Sequence, residues 1–116
     1  MKDKSLKDEF VGNTVDERKL SAERWHDQGS LNYYYGMPRI KGLWVKRFGP
    51  SYLSPEHAVT VWLFLLLNLD KDKKVKSVYT TVHQVSPDGS FVELEEPLSP
   101  ADLENMRTAG RAVVSP

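Results

Sequence analysis

The chain has no cysteine among its 116 residues, which excludes disulfides, thiolate metal sites and cysteine nucleophiles at once. Reducing compartments give cysteine no structural use, so a cytoplasmic setting is the expectation. Residues 1–10 also lack the apolar core of a secretory leader. No apolar stretch approaches the roughly 20 residues that a bilayer demands of a helix. The greasiest run, Ala58 to Leu69, is interrupted by Thr60 and Asn68. Membrane insertion is therefore not expected.

Glycines are sparse, and Gly36, Gly42 and Gly49 are too dispersed for a phosphate-cradling loop. The three histidines, His26, His57 and His83, show no local metal-ligand spacing and no His-Glu-x-x-His pattern. His57 sits where a helix start is expected, and His83 is read as an outward strand position. There is no Gly-x-Ser-x-Gly elbow for acyl transfer. Glu93 and Glu95 share one strand face by period-two alternation, but paired surface carboxylates more often protect an edge strand than catalyse. No catalytic residue, metal or cofactor is expected, and the chain is read as a non-enzyme.

An excess of either charge is missing as well: 16 basic side chains face 16 acidic ones. A dedicated nucleic-acid binder usually shows a strong positive bias. The distribution is nevertheless uneven. Residues 1–28 carry six basic and seven acidic groups, residues 29–85 eight against three, and residues 86–116 two against six. A basic middle and an acidic end can neutralise each other within the fold or face different partners.

What is present suits one small α+β domain over residues 31–116, preceded by an N-terminal segment, 1–30, that is partly helical or mobile. Ser54-Pro55-Glu56 and Ser99-Pro100-Ala101-Asp102 both carry helix-start chemistry: a capping hydroxyl, proline at the first position and an early carboxylate. They predict helices over 55–69 and 100–109, the second closed by Gly110 in the left-handed conformation. The first would be apolar on every side, too oily for one small chain to enclose. Lys74 to Val85 alternates and is rich in β-branched residues, Ser86-Pro87-Asp88-Gly89 is a turn, and Ser90 to Leu94 returns, so 75–94 reads as a hairpin. Strands are also expected at 31–36 and 40–48, a helix within about 15–28, and a short final strand at 112–114. The predicted sheet has about four antiparallel strands in β-β-α-β-β-α order, close to a ferredoxin-like arrangement. Its predicted core comprises Trp62, Leu63, Leu65, Leu66, Leu69, Val78, Val82, Phe91, Leu103 and Met106.

The segment from Tyr33 to Tyr52 holds four cations, six aromatic side chains and no carboxylate. Tyrosine, tryptophan and arginine dominate protein–protein hot spots. The expected function is therefore a protein-binding module, an adaptor or inhibitor, acting through Tyr34, Tyr35, Arg39, Lys41, Trp44, Lys46, Arg47 and Tyr52. The acidic 88–104 region would supply a second surface. The alternative is a nucleic-acid-binding protein that uses the same cations and rings on phosphates and bases. A homodimer is expected, formed through the surplus apolar face of the 55–69 helix or through the aromatic strand beside it.

Overall fold

A computed structural model describes residues 5–27, 41–95 and 98–115, with residues 52–55 described by backbone alone. Two short helices, α1 (Leu6–Phe10) and α2 (Glu17–Ala22), precede five strands: β1 (His26–Asp27), β2 (Leu43–Ser54), β3 (Val59–Leu69), β4 (Val75–Val85) and β5 (Phe91–Leu94). Helix α3 (Pro100–Arg111) follows. The strands form one antiparallel sheet in the order β1-β2-β3-β4-β5. The protein is α+β, as its sequence implies. Among the described residues the sheet has five strands rather than about four, and it is a meander with no ferredoxin-like crossover.

The main correction concerns residues 55–69. Pro55–His57 make a single 3-10 turn, and Ala58 takes a positive φ of 56°, a left-handed conformation that no helix can continue through. The chain reverses there and becomes β3, the central strand. Residues Leu63, Leu65, Leu67 and Leu69 face one side of the sheet, and Trp62, Phe64 and Leu66 face the other. A strand buried on both faces loses its period-two signature and reads as a continuous apolar run. Phe64, Leu65 and Leu67 are completely buried within one copy of the chain. Each such side chain contributes roughly 1.5–3 kcal/mol of transfer free energy. The middle of the run is covered within one copy, so the helix face expected to contact a second copy does not exist.

The 75–94 hairpin forms as expected, with His83 opposite Glu93 and Val85 opposite Phe91. Helix α3 starts at its expected cap, where the Ser99 hydroxyl accepts from the Asp102 N–H at 3.1 Å. It runs past the predicted end to Arg111, and Gly110 lies inside it, buried, instead of forming a left-handed cap. In the N-terminal segment the expected helix is short, and Asp16 caps α2, accepting from the Arg18 N–H at 3.0 Å. Residues 112–114 form no strand of their own. Val114 makes an isolated bridge with Val15.

One face of the sheet carries all the described helices. Leu6, Phe10, Val15, Leu20, Trp25, Met106 and Val113 join Leu65, Leu67, Leu69 and Val75 in one cluster. Of the predicted core, Leu65, Leu66, Leu69, Val82 and Met106 are buried, while Trp62, Leu63, Val78, Phe91 and Leu103 are half-buried. Backbone pairing ties the early residues in: the Gly12 N–H donates to Val75 O at 2.9 Å, and the Val15 N–H to Lys73 O at 2.9 Å. The Glu9 carboxylate accepts from Arg107 Nε at 2.9 Å and from Arg111 Nε, which links α1 to α3.

Candidate functional site

Strand β2 carries the described part of the basic-aromatic segment, and its alternation decides where each side chain goes. Trp44 pairs with Leu67 and Lys46 with Leu65, on the helix-bearing face. Val45 pairs with Leu66 and Arg47 with Phe64, on the second face. Adjacent residues that look like one patch in sequence are thus separated by the thickness of the sheet. Lys41, Trp44, Lys46 and Arg47 do not form one surface. The expected strand at 31–36, together with Tyr34, Tyr35 and Arg39, lies outside the described residues, as does the side chain of Tyr52.

On the helix-bearing face, Lys46 Nζ donates to the backbone carbonyl of Glu23, just beyond α2. This cation is used in tethering the N-terminal segment. Trp44 is half-buried against the main core and lines a hollow of about 700 Å³ at the end of the sheet. Lys41, Lys71, Lys73 and Lys76 border the same hollow. Asp70 to Lys74 is a run of charged residues in the sequence. In the structure that stretch is the β3–β4 turn, which brings its lysines up to the start of β2.

The second face carries a cluster of Leu43, Val45, Phe64 and Leu66, with Trp62 packed against it. None of the described helices contributes to it. The Arg47 guanidinium carbon sits 4.7 Å from the centre of the Trp62 ring, a cation–π geometry that also stacks the planar guanidinium. Tyr79, opposite Leu66, is 54% exposed on this face. Val45 and Phe64 between them are fully buried, whereas Arg47 and Tyr79 are exposed.

His83 is not the outward residue that its place in the sequence suggests. It is 4% exposed, with ring centres 4.9 Å from Phe64 and 5.1 Å from Phe91. Burial pushes its pKa below the ordinary histidine value, and the opposing Glu93 carboxylate offsets part of that shift. The imidazole is held neutral in an aromatic setting. His57 lies in the exposed 55–57 turn beside Glu56 and His26 in β1, so the three histidines stay on separate elements.

The acidic region is only partly available. Asp88 accepts from the Ser90 N–H and hydroxyl at 2.9 and 2.6 Å within the hairpin turn, and Glu104 pairs with Arg107 at 2.8 Å. Glu93 and Glu95 are exposed along a shallow groove that also involves Thr80, Leu94 and Leu98. Among the described residues no three histidine, aspartate or glutamate side chains are grouped to hold a metal, and no helix is long and apolar enough to cross a membrane. Comparison with protein-family models, with curated proteins and with solved structures finds no match to this chain.

Proposed function

We propose that the chain is a non-enzymatic protein-binding module, an adaptor or inhibitor that occupies a partner's surface with the second face of its sheet. The observation that supports this reading is the Arg47 guanidinium laid over the Trp62 ring, with Tyr79 exposed on the same face. Arginine and the large aromatics are the side chains that carry binding energy at protein interfaces. A guanidinium already seated on a ring loses less rotamer freedom when a partner covers it. A cytoplasmic setting belongs to the same proposal and follows from the absence of cysteine.

The test is affinity capture from the native host with the wild-type chain and with an Arg47→Glu, Tyr79→Ala variant, both checked for equal melting temperature. The variant should lose the partner that the wild type retains. Equal capture by both would remove this face from consideration. A homodimer through this face is read directly by sedimentation at high micromolar concentration.

The alternative, a nucleic-acid-binding protein, would engage Lys41 and Trp44 at the hollow instead. Retention of a labelled oligonucleotide that weakens steeply with salt, and survives the Arg47→Glu, Tyr79→Ala change, would favour it.

A further inference from the structure

We infer that the hollow at the β3–β4 turn is a binding site for a nucleoside phosphate, with Trp44 receiving the base and Lys41, Lys71 and Lys76 the phosphates. Among the described residues its lining sets four lysines against the three carboxylates of Glu17, Asp27 and Asp70. Glu17 and Asp70 have partners within the fold. Glu17 pairs with Lys73 at 2.7 Å. Asp70 Oδ1 accepts from the backbone N–H groups of Asp72 at 2.8 Å and Lys74 at 3.0 Å, and those hydrogen bonds hold its carboxyl below the usual carboxylate range. Lys41, Lys71 and Lys76 are exposed and make no ion pair with a described residue. Lys41, Lys71 and Lys76 border one concavity, and an anion bound among like charges relieves their repulsion.

The floor is stiff. The Gly42 carbonyl accepts from the Leu69 N–H at 2.8 Å, and Gly42 lies so close to Leu69 that an added Cβ would meet its carbonyl oxygen at 2.5 Å. The rim is fixed by the Asp70 turn, with the Asp70 N–H donating to Lys74 O at 2.9 Å. A hollow of about 700 Å³ lies within the size range of small-molecule sites. Lysines alone would suit any anion. Trp44 on the wall adds a flat π-surface, and stacking on such a ring selects a ligand that carries an aromatic base. Neither Arg47 nor Tyr79 lines the hollow, so this site stands or falls separately from the docking face.

The test is calorimetric titration of the full chain with ADP, with inorganic pyrophosphate and with a short oligothymidylate. ADP should bind saturably. Lys71→Gln combined with Lys76→Gln, both at exposed positions, should weaken it roughly tenfold, the worth of about one charge-assisted contact. Trp44→Leu should weaken ADP while leaving pyrophosphate unchanged, and its melting curve shows whether it folds. An oligonucleotide that binds more tightly than ADP, with the same lysine dependence, would identify the bound phosphates as those of a nucleic-acid strand. Absence of saturable ADP binding, or binding indifferent to the lysine pair, overturns the site. Equal loss of ADP and pyrophosphate in a folded Trp44→Leu variant overturns the role of the ring.

Discussion

Gly110 of α3 lies flush against the Phe10 ring of α1: a Cβ placed at residue 110 would come within 2.4 Å of the ring's Cζ atom. Helix propensity alone favours alanine over glycine there by about 1 kcal/mol. Contact overrides propensity, because Phe10 is 1% exposed and packed in the main core. Gly110→Ala should therefore destabilise the fold by about 1–3 kcal/mol, the usual cost of overpacking. In the Phe10→Leu background the same substitution should be less harmful than in the wild type, because the smaller side chain vacates the colliding position. Urea denaturation of the double-mutant cycle measures this coupling, and strict additivity would contradict it.

Gly42 has a different reason to be glycine. Its φ is +84°, and an added methyl would strike the Leu69 carbonyl, which is backbone and cannot swing away. Gly42→Ala should cost more than the roughly 1 kcal/mol of an ordinary left-handed alanine. The same change should disturb the floor of the lysine-lined hollow. Chemical denaturation together with ADP titration of this variant reads both effects.

His83 makes stability depend on pH. Its folded pKa lies below the ordinary value of about 6.5 because burial disfavours the imidazolium. The unfolded chain therefore binds the proton more readily, and stability rises with pH across that interval. The contribution is fully present above about pH 6.5 and is lost as pH falls from there toward the folded pKa. Urea midpoints measured between pH 7.5 and 5.5 should decline on acidification, and His83→Gln should flatten the decline. An unchanged slope in that variant would assign it to other groups.

Thr81 Oγ1 and Asn68 Oδ1 are buried with no hydrogen-bond partner among the described residues. An unsatisfied buried hydroxyl costs about 1–3 kcal/mol. Thr81→Val keeps the β-branched shape that suits β4 and removes the orphan oxygen. It should raise stability by about 1 kcal/mol, visible as a higher urea midpoint with an unchanged slope. A lower midpoint would mean that the hydroxyl has a partner in solution.

Much of the local structure is legible in the chain because its signals are local. Ser86-Pro87-Asp88-Gly89 forms its turn from neighbouring residues, with Asp88 accepting from Ser90 two residues on, and the β-branched residues on its N-terminal side need only a neighbouring strand. Ser99 caps α3 through a hydroxyl that reaches an N–H three residues on. The candidate surfaces were far less legible. Arg47 meets Trp62 only because β2 and β3 pair in one register. His83 is buried only because Phe64 and Phe91 flank it. Lys41 shares a hollow with Lys71 and Lys76 only because the β3–β4 turn returns to the start of β2. Each of these depends on pairs distant in sequence, and residue type does not announce them.

Ser54-Pro55-Glu56 shows where local chemistry runs out. The same residues suit a helix start and a single 3-10 turn, and the packing of the next dozen residues decides between the two. The sequence by itself determined that residues 58–69 must be hidden, that 75–94 is a hairpin, and that a capped helix begins at Ser99. Only the tertiary structure decided that the hidden run is the middle strand of a five-stranded sheet. A segment apolar on all sides has no period of its own, so its conformation is set by what covers it: strands hydrogen-bonded on both flanks, and side chains packed above and below.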